Sequence, residues 1–256
     1  MAGVAAVVQL AGCGSAPMTG NNSDLQTSSD QTDNQKRARI RLQLAVGYYE
    51  QRQMPVALDE IKQALLADPN LADAYSVRAL IYMDMGENKL AEDNFQEALR
   101  LTPNNPDFSN NYGWFLCQTG RERQAMPYFD AALKNRGYHS PEKALNNAGI
   151  CSLRLKDKAA AEKFFMKAFQ VDPANPSTNA NLAKIYYDQG DYERARFYIG
   201  RVLKADVMTA DVLWLAIKIE RKLGDRAAET SLVTQLRRRH PDSSEFAAFQ
   251  RGAFNE

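Results

Sequence analysis

The sequence contains few of the residues on which most enzymatic and metal chemistry depends. Among 256 residues there are 3 cysteines and 2 histidines. Neither His139 nor His240 has a cysteine or carboxylate partner at the spacing of a metal site. The chain also lacks a glycine-rich phosphate loop and a nucleophile elbow. We therefore expect a protein that is not an enzyme, with no catalytic residue, metal, cofactor or small-molecule substrate.

An excess of charge of one sign is also absent. Lysine and arginine total 32, aspartate and glutamate total 31, and the formal net charge is +1. Binding of nucleic acid through a broad basic face needs a clear excess of cations, so we expect no nucleic-acid partner. No apolar run reaches the roughly 18 residues of a membrane-spanning helix.

The first 35 residues differ in composition from the rest of the chain. The apolar start "MAGVAAVVQLAGCG" contains the quartet "LAGC", residues 10–13, which is similar to the lipobox of bacterial lipoproteins. In that class the cysteine thiol, here Cys13, takes a diacylglyceryl group, and cleavage then makes that cysteine the first residue. The alternative is the buried start of a domain. The polar residues 14–35 disfavour that alternative, because they offer little to bury.

These features predict three parts of the chain. Residues 1–12 are the remnant of a lipoprotein signal peptide, residues 13–36 a disordered tether, and residues 37–256 a folded domain. Signal peptides carry a basic segment before the apolar run, and this one has none. The true start of the protein is therefore expected upstream of Met1.

Prolines reveal an internal repeat in the folded part. Pro69, Pro103, Pro173 and Pro241 are separated by 34, 70 and 68 residues, which are one repeat of 34, two repeats with two extra residues, and two more repeats of 34. A period of 34 is the signature of the tetratricopeptide repeat, a helix-turn-helix unit. The fold class is therefore predicted to be all-α, a superhelix of six such repeats. A short C-terminal helix over residues 242–249 is expected to cap it.

The spacing of small residues supports the repeat. In each unit a small residue lets the two helices approach closely, glycine after the first helix supplies a left-handed cap, and proline after the second helix starts the next unit. The small residues are Ala45, Ala79, Gly113, Gly149 and Ala183. The capping glycines are Gly86, Gly120, Gly190 and Gly224.

A recurring asparagine marks the first helices. "NNYGWFLCQTG", from residue 110, returns 36 positions later as "NNAGICSLRLKD". Asn111, Asn147 and Asn181 share one repeat position, which faces the concave groove of such a superhelix. There an asparagine can exchange hydrogen bonds with the backbone of an extended peptide. The alternative is capping of helix N-termini, where asparagine is also favoured.

Other inward-facing positions of the first helices are apolar in repeats one to four. They predict a groove that takes an aliphatic or aromatic anchor of a partner, although packing between hairpins could equally bury some of them. These candidate partner-binding residues are Leu42, Val46, Tyr49, Leu80, Met83, Trp114 and Ile150. In repeats five and six the corresponding positions are more polar and include Lys184, Asp188, Lys218 and Arg221.

Two cysteines remain in the repeats. Cys117 and Cys151 lie late in the first helices of adjacent repeats, where helix axes run about 8 to 10 Å apart. An exported protein reaches a compartment in which disulfides persist, so we expect these two to be joined. The alternative is a pair of small buried hydrophobic side chains.

Three segments resemble a known family: "NNYGWFL", "ALNNAGICSLRLKDKAAAEKFFMKAF" and "LRRRHPDSSEFAAFQ". With the lipobox and the polar tether, the chain resembles the type IV pilus pilotin lipoproteins, the PilF/PilW family, over nearly the whole mature chain. The resemblance implies a lipid anchor on the periplasmic face of the outer membrane. It also implies binding of the pilus secretin subunit and promotion of its localisation and multimer assembly. The alternative is a periplasmic repeat scaffold that regulates cell-wall enzymes.

Overall fold

The computed structural model describes residues 30–254. Cys13, the signal-peptide remnant and most of the predicted tether lie outside the described residues. The described part contains 13 helices and no strand. The helices are α1 (Asp33–Glu50), α2 (Met54–Ala67), α3 (Ala72–Asp84), α4 (Asn88–Leu101), α5 (Pro106–Gln118), α6 (Glu122–Lys134), α7 (Pro141–Arg154), α8 (Lys158–Val171), α9 (Pro176–Asp188), α10 (Tyr192–Lys204), α11 (Ala210–Leu223), α12 (Arg226–Arg239) and α13 (Ser244–Arg251).

The first twelve helices form six consecutive hairpins, each followed by a helix that packs on the hairpin before it. α1 contacts α3, α3 contacts α5, α5 contacts α7, and α9 contacts α11. Among the described residues, successive second helices make no contact of this extent. The first helices therefore form the inner, concave row of a superhelix, and the second helices form the outer row. This confirms the predicted tetratricopeptide fold of six repeats.

The first five hairpins are each held by a large, buried apolar side chain on the second helix that faces a small residue on the first. Phe95, Phe129 and Phe165 are at most 1% exposed. Each is preceded by a fully buried alanine one turn earlier, such as Ala161 before Phe165. Burying one such ring contributes about 2 to 3 kcal/mol by transfer from water. Hairpins one and five use Ile61 and Ile199 at the same register, so the first five hairpins share one mode of internal packing.

Turns within the hairpins use left-handed backbone, as the four predicted glycines require. Their φ angles lie between 79° and 81°. Repeats one and four have no glycine at this position, and Arg52 (φ 61°) and Lys156 (φ 60°) adopt the left-handed conformation instead. In every case the turn closes by a hydrogen bond such as that from Glu87 N–H to the Tyr82 carbonyl (2.9 Å), which satisfies an end carbonyl of the first helix.

Two predicted positions need correction. The folded domain was expected to begin at residue 37, but α1 already begins at Asp33, because Thr32 and Gln35 form a reciprocal capping box at its N-terminus. The repeat prolines were expected to start the next helix. Instead they follow the end of the preceding one, and Pro106, Pro141 and Pro176 occupy the first helical positions.

The last repeat is covered by α13. This helix contacts α11, and Phe246, Phe249 and Phe254 pack on the core of repeats five and six. The Phe254 ring lies 5.2 Å from that of Trp214, which is 8% exposed. The predicted cap over residues 242–249 is confirmed, with its helix at Ser244–Arg251.

Between residues 30 and 254, none of the helices combines the length and apolar character needed to cross a bilayer.

The closest helix approach gives the first testable expectation. A Cβ at position 149 would lie 2.6 Å from Cε1 of the buried Phe165, so Gly149→Ala forces the ring or the helix to move. Overpacking of this kind costs about 1 to 3 kcal/mol. We expect Gly149→Ala to lower the free energy of unfolding by that amount in a denaturant titration.

Gly200→Ala is the matched control. Gly200 lies inside α10, and a Cβ there meets no atom within 4 Å. Because alanine is the better helix former, this variant should keep or raise stability, by up to about 1 kcal/mol. Equal stability of the two variants would contradict the role given to Gly149.

Candidate functional site

All ten predicted partner-binding residues lie on first helices and are partly exposed. We call the surface that they form along the inner row the concave groove. Its members are Leu42, Val46 and Tyr49 on α1, Leu80 and Met83 on α3, Asn111 and Trp114 on α5, Asn147 and Ile150 on α7, and Asn181 on α9.

The groove changes character along its length at one repeat position. Val46, Leu80, Trp114 and Ile150 occupy this position in the first four hairpins, and lysine replaces them in the last two, at Lys184 and Lys218. Leu80 and Trp114 pack with one side against the core of repeats two to four, and Ile150 packs against the next core. The remaining surface of these side chains is an apolar strip that crosses four helices.

Tyr49 lies at the start of this strip and is fixed to the next hairpin. Its hydroxyl donates a hydrogen bond to Oδ2 of Asp84 (2.9 Å), which Arg52 also contacts at 2.9 Å. Burial, together with this hydrogen bond and the negative charge of Asp84, raises the pKa of Tyr49 to about 12. The hydroxyl therefore stays protonated, and the ring is what Tyr49 can offer to a partner.

The recurring asparagines do not cap helices. Asn111, Asn147 and Asn181 lie inside α5, α7 and α9, whose N-caps are Asn105, Ser140 and Asn175. The capping alternative is therefore wrong.

Two of these asparagines instead link neighbouring first helices. Asn111 donates to Oγ of Ser76 (3.4 Å), Asn110 donates to Oδ1 of Asn111 (3.4 Å), and Asn147 donates to Oδ1 of Asn110 (3.0 Å). Asn181 donates to the Ser177 carbonyl of its own helix (2.9 Å). This ladder across α3, α5 and α7 aligns the concave row, a role that sequence reasoning missed. The doubled Asn-Asn in both segments was the available signal.

A disulfide joins α5 to α7 beside this ladder. Cys117 and Cys151 are bonded, and their Cα atoms lie 5.8 Å apart. Both side chains are fully buried in the core of repeats two to four. Arg154 adds a second link, because its guanidinium donates to the Cys117 carbonyl (2.8 Å) and to Oε1 of Gln118 (2.6 Å). The middle of the groove is therefore its most firmly connected part.

The far end of the groove forms a cavity of about 600 Å³ between α9, α11 and α13, which we call the C-terminal pocket. Trp214 forms one wall of the cavity, and the ring of Phe254 packs against the Trp214 ring. Glu245 of α13 contributes to the rim, a feature that repeat periodicity cannot reveal. Its lining includes Asn181, Lys184, Tyr187, Asp211, Trp214 and Lys218.

The described residues contain no group of histidine, cysteine and carboxylate side chains that could hold a metal ion. His139 is exposed, and His240 uses Nε2 to contact the Met208 carbonyl at 2.7 Å. Both histidines are therefore outside the groove and the pocket.

Comparison with known proteins agrees with this architecture. The tetratricopeptide repeat family matches residues 42–106, 76–140 and 116–176, and a second model of the same repeat matches residues 152–216. The type IV pilus assembly protein PilF of Pseudomonas aeruginosa is 30% identical over 209 residues, which are 82% of this chain and 83% of that protein. The chain belongs to the PilF/PilW family of type IV pilus biogenesis proteins.

Two solved structures of the family have the same superhelix. The structure of Pseudomonas aeruginosa PilF has a TM-score of 0.80 and 28% identity, and the match covers 86% of this chain and all of that one. The structure of PilW, a widely conserved type IV pilus biogenesis factor, has a TM-score of 0.76 and 32% identity, with 83% and 98% coverage. As a tetratricopeptide protein of this family, the chain is built as a protein-interaction module.

The disulfide gives the second testable expectation. The two cysteines close a loop of 34 residues, and chain-entropy models assign such a loop about 3 to 4 kcal/mol of stabilisation. The double variant Cys117→Ala with Cys151→Ala should therefore unfold at a lower denaturant concentration than the wild type. Its free energy of unfolding should be lower by most of this amount.

Reduced wild-type protein is the matched control, because it loses the bond and keeps both side chains. It should resemble the double variant in stability. Thiol titration of unreduced, unfolded protein should find neither of these two cysteines free. Two free thiols at these positions would show that the protein does not form the bond in its own compartment.

Proposed function

We propose that this protein is an outer-membrane lipoprotein that acts as a pilotin: its concave groove binds a segment of the type IV pilus secretin subunit and promotes assembly of the secretin multimer. Family membership supports a role in pilus biogenesis. The observation that carries the finer proposal is the row of partly exposed apolar side chains at one position of the first four repeats, because apolar surface gathered on one face marks a binding site.

Trp114 is the expected centre of the interface. It lies between Leu80 and Ile150 at the same repeat position, and one side of its ring rests on the core of repeats two to four. A tryptophan that is held by the core loses little conformational freedom when a partner covers it. Central aromatic side chains of this kind carry a large share of binding free energy.

The disulfide and the asparagine ladder support this location. Both connect α5 to α7, which carry Trp114 and Ile150. They hold the two side chains in a fixed relation, so a bound segment meets a groove that is already shaped. Fixing the binding surface before association lowers the entropic cost of binding.

The anchor is proposed from residues outside the described part of the chain. The quartet that ends in Cys13 and the polar residues after it favour lipid attachment and a tether. With at least two acyl chains, burial of about 0.8 kcal/mol per CH2 group gives stable membrane attachment. The groove would then be held at the periplasmic face of the outer membrane, where the secretin ring assembles.

The groove assignment is tested by Trp114→Ala. Loss of a central aromatic contact should cost about 2 kcal/mol or more of binding, so less secretin multimer should reach the outer membrane. The amount of multimer is measured by immunoblot of membrane fractions, and circular dichroism checks that the variant is folded. Trp114→Phe should restore part of the multimer.

Phe197→Ala is the matched control on the outer row. Phe197 lies on α10 and is 54% exposed, so its removal deletes an exposed aromatic ring away from the groove. It should leave the multimer unchanged. Full multimer with folded Trp114→Ala, or loss with Phe197→Ala, would place the binding surface elsewhere. Copurification of a peptidoglycan synthase in place of the secretin would favour the cell-wall scaffold.

The anchor is tested by Cys13→Ser. A serine cannot form the thioether to diacylglycerol, so the variant should appear in the soluble periplasmic fraction, and globomycin should block processing of the wild type. Wild-type levels of the serine variant in outer membranes would show that something other than lipid holds the protein there.

A further inference from the structure

The C-terminal pocket contains two cations without an anionic partner. Lys184 and Lys218 occupy the same position of adjacent first helices and both line the cavity. Among the described residues, neither lysine forms a salt bridge or a hydrogen bond. Asp188 also lines the cavity, but its carboxylate pairs with Lys158 at 3.1 Å. Burial lowers the pKa of Lys218, the charge of Lys184 lowers it further, and Asp188 opposes both.

Lys218 is held in place by aromatic rings. Its Nζ lies 5.3 Å from the centre of the Tyr187 ring and 5.6 Å from that of Trp214. Cation–π contacts of this kind direct an ammonium group without neutralising its charge. The pocket therefore holds a positioned cation close to a second one, and their mutual repulsion is relieved when an anion binds between them.

Three acidic side chains line the pocket; Asp188 pairs with Lys158, and the other two lie at helix N-termini. Asp211 and Glu245 lie in the first turns of α11 and α13, where the helix dipole stabilises a negative charge. Because these carboxylates would repel a run of acidic residues, the pocket suits a ligand with a single negative charge.

The remaining lining combines apolar side chains with the polar Ser177, Asn181 and Thr209. The apolar members include Ala180, Val212 and Leu215, with the almost fully buried Ile199 and Val202. A volume of about 600 Å³ is within the range of sites that hold a small ligand or one to two residues of a peptide. The cavity continues the concave groove and ends at α13, so an extended chain that follows the groove would finish there.

We propose that the C-terminal pocket is a second binding site, which takes a peptide through one carboxylate that lies between Lys184 and Lys218, with an adjacent aliphatic side chain against Val212 and Leu215. This site is separate from the apolar strip of repeats one to four, and the proposal does not depend on the identity of the partner bound there.

N-acetyl-leucine is the smallest probe with these two features. Its binding to the isotope-labelled full chain is followed by nuclear magnetic resonance, with the Trp214 indole N–H and the amides of Asn181 and Leu215 as reporters. We expect saturable shifts confined to these reporters in the millimolar range. N-acetyl-leucinamide, which lacks the charge, should bind about tenfold more weakly or not at all.

Two variants separate the lysines from general charge effects. Lys184→Gln with Lys218→Gln should reduce affinity for N-acetyl-leucine about tenfold or more. Lys163→Gln with Lys167→Gln removes the same charge from exposed sites on α8 and should leave binding unchanged.

The outcomes decide the proposal. N-acetyl-leucyl-aspartate α-amide carries its only carboxylate on the aspartate side chain, so tighter binding of this probe than of N-acetyl-leucine would assign the site to an internal acidic residue, and the reverse to a chain terminus. Equal binding of the acid and the amide would overturn the proposal. So would shifts outside the pocket, no saturable shift, or undiminished binding by the variant without Lys184 and Lys218. None of these results would bear on Trp114 and secretin assembly.

Discussion

The close approach of the two helices within each hairpin is the constraint on which the rest of the structure depends. A small residue on the first helix admits a large apolar side chain from the second, most tightly where Gly149 meets Phe165. One hairpin cannot bury both its faces, so each must stack on the next. Stacking places the first helices on the inside of the curve, and this alone decides which residues line the groove. The composition of the groove is therefore free to vary while the core repeats.

The inner surface uses this freedom in two ways. In the first four repeats a single position carries Val46, Leu80, Trp114 and Ile150, which give an apolar strip. In the last two the same position carries Lys184 and Lys218. The disulfide and the asparagine ladder lie in the apolar part, whereas the polar part is shaped by α13 and Phe254. The same scaffold thus presents two surfaces of different chemistry to one continuous groove.

Much of the fold could be predicted from the sequence because the same pattern of helix and turn residues recurs about every 34 residues. The spacing of prolines, small residues and turn glycines was sufficient for the number of hairpins and for the helix row of every candidate residue. The start of α1 was misplaced because Thr32 and Gln35 look like tether residues and only their reciprocal hydrogen bonds make them a helix start. The left-handed turns at Arg52 and Lys156 could not be predicted, because neither turn contains the glycine that marks the other four.

Contacts between repeats were the harder part to predict. The bonds from Asn111 to Ser76 and from Asn147 to Asn110 join residues 35 and 37 positions apart, and such pairs depend on the offset between neighbouring hairpins. Sequence periodicity reports that a position recurs but does not report this offset. The C-terminal pocket has the same origin, since it needs the rim residue Glu245 from a helix that belongs to no repeat.

The packing of α13 on the sixth hairpin also affects where this protein can change in evolution. A hairpin inside the stack contacts copies of itself on both sides, so its contact residues are constrained by its neighbours' shared pattern. The sixth hairpin has such a neighbour on one side only; on the other it meets a short helix with no fully buried residue and the ring of Phe254. The residues of this hairpin that meet α13 and Phe254 therefore need not follow the shared repeat pattern. New binding specificity can arise at this end of the molecule without disturbing the stack.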